Sequence, residues 1–198
     1  MVEEQQLRTA LVVDLDAGFA EVVRVHQQLV YSVARRLTRR TEDAEDLAAE
    51  AFLRAYRAVS GYDAARIGAL RLRPWLLTIL RNTARNAARD ASRRPEPPPS
   101  FEPAEQVEAG PSVEDLVVAG HTQREWNELL ARLPDRQRIA VLLRHVEGLP
   151  IGEIAEVLGC PEGTAKSHIS RGLATLRALL PGGSELPTTT VTSEEKVR

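Results

Sequence analysis

Residues 151–172, IGEIAEVLGCPEGTAKSHISRG, carry the strongest fold signal in the chain. Two short helices that cross closely need a small residue where they touch, and Ala155 supplies one. Four positions later, Gly159 can take the positive φ of a tight turn. Pro161 is compatible with this reading, because it stands just before the second helix. Beyond it, Ala165, Ile169, Leu173 and Leu176 recur at steps of four, four and three and define an inner helical face. Glu162, Lys166, Ser167, Ser170 and Arg171 fall toward the outside. A lone Ala-to-Gly spacing would suit any helical hairpin. The complete pattern is that of a helix-turn-helix that binds DNA. Thr164, Lys166, Ser167 and His168 would enter a major groove, with Arg171 one turn further on.

Working upstream, Pro134 opens a helix with Ile139, Leu142, Leu143 and Val146, and Gly148 stops it. Before that, a helix from about Val113 places Trp126, Leu129, Leu130 and Leu133 on one face. Residues 113–180 thus form one helical domain. Residues 95–112, PEPPPSFEPAEQVEAGPS, hold six of the twelve prolines and predict an extended linker. On its other side, Phe19, Val22, Val23, His26, Val30, Val33 and Leu37 have helical spacing. Thr41 is placed to cap a second helix, with Glu42 and Asp43 in the first turn, where the helix dipole favours them. That helix runs through Leu47, Ala51, Phe52, Ala55 and Val59 to Gly61. Residues 61–73 carry two glycines and predict a loop, and Pro74 suits the first turn of a third helix that reaches about Arg93. The expectation is an all-α chain. A domain at 15–94 and a helix-turn-helix domain at 113–180 are joined by the Pro-rich linker and followed by a disordered tail at 181–198.

Composition narrows the function. Aromatics are 4% of the 198 residues, so the core rests on Leu, Val, Ile and Ala. No apolar run approaches the roughly 18 residues of a membrane span, and the acidic start lacks secretory-signal character, so a cytoplasmic protein is expected. The single cysteine, Cys160, excludes an intramolecular disulfide and a CxxC metal site. It stands in the helix-turn-helix turn as a small buried residue or as a thiol sensor. The four histidines have no metal-ligand spacing. No Gly-rich phosphate loop or nucleophile-with-base pair appears, so neither an enzyme nor a cofactor is expected. The net charge of −2 is distributed unevenly. Residues 19–94 hold 15 Arg against 8 acidic residues, residues 95–120 hold 6 acidic residues and no base, and residues 121–180 are nearly balanced. Such asymmetry points to partners, although Arg-for-Lys usage can also come from a GC-rich genome.

Two further constellations stand out. In WLLTILRNTARNAARDASRR, residues 75–94, Arg81, Arg85 and Arg89 recur every four residues on one helical face, flanked by Asn82 and Asn86. Ile79, Leu80, Thr83, Ala84, Ala87 and Ala88 supply the buried side. The Arg face could hold a phosphate backbone while Trp75 stacks on a base at an opened junction. The plainer reading is a solvated Arg face above a core tryptophan. In DAEDLAAEAFLRAYR, residues 43–57, Asp43, Asp46 and Glu50 share a face. A metal site, a solvated face and an acidic docking surface for a protein are the three readings.

These segments, in this order, resemble the extracytoplasmic-function (ECF, group 4) sigma factors of bacterial RNA polymerase, over about residues 15–180. The resemblance implies a subunit that binds core RNA polymerase and directs transcription from promoters by reading −10 and −35 elements. It assigns Asp43, Asp46, Glu50 and Arg54 to the β′ clamp helices. It assigns the 61–72 loop to capture of a flipped −10 base, and Trp75, Arg81, Asn82, Arg85 and Arg89 to −10 DNA. Thr164, Lys166, Ser167, His168 and Arg171 go to −35 DNA, with region 4 also touching the β flap. An anti-sigma factor is a further candidate partner. Ala49 departs from the family's usual Gln, His168 from a frequent Arg, and Gly172 from a usual Ala, the last at about 1 kcal/mol of helix propensity. The rival is a stand-alone helix-turn-helix regulator in which 19–94 is a dimerisation or effector domain.

Overall fold

The computed structural model describes residues 2–93 and 123–179. The helix expected from Val113 is therefore followed from Gln123 only, and the linker and tail lie outside the described residues. All regular structure among the described residues is helical. The order is α1 (Val2–Val13), α2 (Leu15–Leu37), α3 (Thr41–Val59), α4 (Ala64–Ala69), α5 (Leu72–Arg93), α6 (Gln123–Ala131), α7 (Asp135–His145), α8 (Ile151–Leu158) and α9 (Glu162–Leu179). None of these helices is long and apolar enough to cross a membrane.

The first unit is a bundle around the apolar faces of α2, α3 and α5. Phe19, Val22, Val30 and Val33 of α2 are buried with Ala44, Leu47, Ala51, Ala55 and Val59 of α3 and Leu72, Leu76, Leu77 and Leu80 of α5. Each buried leucine contributes about 1.5–3 kcal/mol by leaving water. The alanines of α3 let the backbones approach, which suits a core with few aromatics.

The structure departs from the sequence expectations here in four ways. Packing begins before residue 15, since α1 buries Leu7 and Leu11 against α2 and α4. Asp14 separates α1 from α2 and caps the latter, its carboxylate accepting from Ala17 N at 3.0 Å. Arg40, not Thr41, is the N-cap of α3, and no side chain bonds there. Residues 61–73 are not all loop: Asp63 accepts from Arg66 N at 2.7 Å and starts α4, and Ile67 is buried beneath it. Pro74 falls in the first turn of the third helix as expected, but that helix takes in Leu72 and Arg73 from the expected loop, and its first amide has a distant cap, since Glu4 accepts from Leu72 N at 2.6 Å. Arg8 donates to Leu70 O at 3.0 Å, so α1 ties down both sides of the α4–α5 turn.

In the second unit, Leu130, Leu133, Val141, Leu142 and Leu176 form one cluster. Gly159 ends α8 in the left-handed region at φ 62°, with Cys160 N bonded to Ala155 O and Gly159 N to Glu156 O. This paired closure makes the sharp turn before α9. Ala165 and Ile169 are buried against α8, as the inner-face pattern requires.

Two glycines mark close helix crossings. A Cβ on Gly18 would lie 2.5 Å from backbone atoms of Ala10 and Leu11. A Cβ on Gly172 would lie 2.6 Å from Val141 Cγ2 and 3.3 Å from Gln137 O, where α9 crosses α7. The helix-propensity cost of Gly172 is therefore offset by a packing requirement. Gly18→Ala is expected to destabilise the chain by about 2 kcal/mol or more, because backbone must move. Gly172→Ala should cost about 1 kcal/mol net, and Val141→Ala in the same chain should relieve the clash. Urea unfolding of the three variants checks both expectations.

Candidate polymerase and nucleic-acid interfaces

Three surfaces carry the candidate residues. The first is the outer face of α3. A helix turns 100° per residue, so burial of Ala44, Leu47, Ala48, Ala51 and Ala55 drives Asp43, Asp46, Glu50 and Arg54 to the opposite side. Asp43, Asp46 and Arg54 are exposed and Glu50 is half-buried. Glu50 and Arg54 form an ion pair one turn apart at 2.6 Å. That hydrogen bond, with the charge of Arg54, holds the Glu50 carboxyl below its ordinary range. Leu53 shares this face and is 51% exposed, a large apolar side chain among charges. It is one turn beyond Glu50 and out of phase with the buried stripe, the signal by which the sequence could have revealed it. Among the described residues, no group of three His, Cys, Asp or Glu is placed to hold a metal.

The second surface is α4 and the outer side of α5. Trp75 is half-buried and packs on Tyr62 with ring centroids 6.3 Å apart. The Arg66 guanidinium stacks 3.7 Å over the Tyr62 ring. This aromatic and cationic corner sits at the loop assigned to base capture. Arg85 and Arg89 are exposed and Asn82 is half-buried. Arg81 does not stand with them. It donates to Val157 O of α8 and, at 3.1 Å, to Asn82 Oδ1. Burial, then the charges of Arg85 and Arg136, push its pKa below the usual guanidinium value. The expected single stripe fails because each four-residue step adds 40° of rotation, so Arg81 and Arg89 differ by about 80°. Ala87 and Ala88, expected on the buried side, are exposed.

The third surface is α9. Lys166 and Arg171 are exposed, while Thr164, Ser167 and His168 are half-buried. Ser167 Oγ donates to Gly163 O at 2.9 Å. The imidazole Nδ1 of His168 is buried without a partner. Burial, then Arg171 and Arg136, lower the pKa of His168 from 6.5. Lys166 lies more than a quarter-turn from Thr164 and His168. It joins Arg144 and Arg177 around a groove of about 340 Å³ floored by Ile151, Ile169 and Leu173. Sequence spacing missed Arg144 and Arg177. Arg177 follows Lys166 by three turns on one helix face, whereas Arg144 arrives only through the packing of α7 on α9.

The geometry therefore offers an acidic face on one helix and cationic faces on two others. Comparison with known proteins fits this division. The chain matches the family models for Sigma-70 region 2 over residues 22–94 and Sigma-70, region 4 over residues 123–176. It is 31% identical over 179 residues to the ECF RNA polymerase sigma factor SigW of Bacillus subtilis, covering 84% of this chain and 90% of that one. It is 32% identical over 160 residues to the ECF RNA polymerase sigma-E factor of Escherichia coli K12, covering 76% and 79%. Among solved structures, CnrH bound to the cytosolic domain of CnrY shares the fold at 21% identity, with TM-score 0.65 over 92% of this chain and 99% of that one. RpoE of Bartonella quintana, solved with the anti-sigma factor NepR, shares it at 24% identity, with TM-score 0.62 over 84% and 98%. The region 2 match falls where a stand-alone regulator would need a dimerisation or effector domain. With both regions present in order, and relatives aligned along most of its length, the chain belongs to the ECF RNA polymerase sigma factors.

Proposed function

We propose that this sigma factor docks on core polymerase through the outer face of α3 and reads promoter DNA with α5 and α9. The observation that supports it most strongly is that each matched region presents an exposed face of the right chemistry. Asp43, Asp46, Glu50 and Arg54 run along one side of the helix with exposed Leu53 at their edge, and charged groups next to an apolar contact suit a protein partner. Arg85 and Arg89, with Asn82 next to them and Trp75 nearly three turns before Arg85 on the same helix, suit an unpaired strand whose phosphates and bases must both be held. Arg171, on the same side of α9 as Thr164 and His168, suits the base edges of a −35 element, while Lys166 lies across the helix with Arg144 and Arg177, a cationic groove that suits phosphates.

The mechanism then needs no chemistry at a reacting atom. The net charge is −2 and each reading face is small, so the free chain has weak affinity for duplex DNA. Docking holds two readers at a fixed separation and raises the effective concentration of each for its own element. Unpaired −10 bases captured near Tyr62 and Trp75 shift the promoter toward its open form. A protein inhibitor, of the kind described for the Bartonella quintana structure, is a further partner on this reading.

A gel shift with a promoter fragment, run with and without core polymerase, tests the reading. A retarded complex is expected only when both are present. Tight binding without core would favour a free-standing regulator. Asp46→Ala with Leu53→Ala is expected to weaken core affinity by about 10-fold or more, near 1–3 kcal/mol, with the helical signal unchanged. Arg171→Ala should cost about 1–3 kcal/mol on the −35 element and spare core binding.

The histidines give a pH prediction. Burial lowers the pKa of His145 as well, with Arg144 and Arg177 adding to the effect. Both imidazoles have folded pKa values below the ordinary 6.5. The unfolded chain therefore takes up protons first as pH falls. Their contribution to stability is complete above pH 6.5 and is lost as pH drops through the folded values. Urea midpoints between pH 7.5 and 5 should fall, and His145→Gln with His168→Gln should flatten that fall.

A further inference from the structure

The polar side of α1 reaches the segment that carries the aromatic and cationic corner. Glu4 and Arg8 stand one turn apart on this helix, while Leu7 and Leu11 anchor it in the core. The Glu4 carboxylate accepts from Leu72 N at 2.6 Å, and the Arg8 guanidinium donates to Leu70 O at 3.0 Å. These two backbone groups flank Arg71 in the turn between α4 and α5. Neither bond is local, since 68 and 62 positions separate the partners. The charges also suit their places. An anion meets the amide at the start of α5, and a cation meets a carbonyl just past the end of α4.

Helix α4 has few anchors of its own. It has six residues, well under the roughly 12 that an isolated helix needs in water. Ile67 is its one buried residue, and its start rests on the Asp63 cap. The corner is built across this segment. Tyr62 precedes α4, Arg66 lies in it, and Trp75 lies one turn into α5. The contact of Tyr62 with Trp75 therefore depends on the angle between α4 and α5, which is set at residues 70–72. A site that seats a planar ring needs its walls held to within about 0.5 Å. We propose that Glu4 and Arg8 are positioning residues for −10 recognition: by bonding Leu72 N and Leu70 O, they hold Tyr62 and α4 at the angle to Trp75 that receives an unpaired base. The inference rests on the reading of this corner as the −10 capture site. It gives the polar side of α1 a task distinct from the packing done by Leu7 and Leu11.

The test uses polymerase reconstituted with the full-length chain. The probe is a labelled single-stranded oligonucleotide with the non-template −10 sequence of a promoter that the wild-type enzyme transcribes. Fluorescence anisotropy reads its affinity over a range of salt. Glu4→Ala and Arg8→Ala should each weaken binding by about 3- to 10-fold, with helical signal and core affinity unchanged. Their salt slopes should match the wild type, because neither side chain meets a phosphate, whereas Arg85→Ala should lower the slope by about one. Glu4→Gln and Arg8→Lys keep an acceptor and a donor and should restore most of the affinity. Arg8→Ala should add little in a Trp75→Ala chain, since it acts through that corner. A lowered urea midpoint with unchanged oligonucleotide affinity would overturn the proposal, leaving α1 a structural tie alone. So would a salt slope reduced by about one in Arg8→Ala, which would place that guanidinium on the DNA itself, or fully additive losses with Trp75→Ala. Wild-type binding by the Trp75→Ala chain would sink the corner reading and this inference together. Loss in Trp75→Ala with none in the α1 variants would sink this inference alone.

Discussion

Burial of the leucine face of α5 is the constraint on which the rest of the structure depends. Leu72, Leu76, Leu77 and Leu80 are each at most 3% exposed. They fix the rotation of the helix, and that rotation decides what every other residue on it can do. Arg73 and Arg81 are carried to the side that meets α8, while Arg85 and Arg89 are carried to solvent. A change of one residue in the phase of this face would redistribute all four. The same logic governs α3, where an alanine-rich inner face leaves acids, Leu53 and Arg54 outside. Function is therefore written on the faces that the core does not use.

Electrostatics supplies the second layer. The first unit is strongly basic, yet much of that charge is answered within the chain. Glu4, Glu147, Glu153 and Glu156 each hold a group of the basic unit, and three of these four acids belong to the other unit. A protein with a net charge of −2 can hence contain a powerful anion-binding helix without coating DNA indiscriminately. Selectivity follows from making the strong contacts conditional on geometry, which a larger enzyme can impose.

Much of this was legible in the residues, for identifiable reasons. The helix-turn-helix was clear because Gly159, Pro161 and the Ala165–Ile169–Leu176 spacing are local requirements of two short helices and a turn. The exposed acids of α3 followed from period alone. Helix α1 was missed because only Leu7 and Leu11 mark its buried side, and an acidic start with two apolar anchors has no strong periodicity. Helix α4 was missed because Gly61 and Gly68 suggest a loop, while the cap that starts it is one aspartate. The split of the arginine stripe was a matter of angle, since a step of four is not a full turn. The α5–α8 contact joins positions 76 to 85 apart in sequence, and no local pattern announces it. Glu153 and Glu156 look like ordinary solvated acids until Arg71 and Arg73 are brought beside them.

The central claim is that the solvent side of α5 holds melted promoter DNA once the chain is docked on polymerase. Permanganate reactivity of thymines in the −10 element measures that melting directly. Polymerase reconstituted with the wild-type chain should render them reactive. Polymerase with the Arg85→Ala/Arg89→Ala chain, shown to bind core equally well, should leave them protected. Full reactivity with that variant would contradict the claim, because melting would then be supported by some other surface.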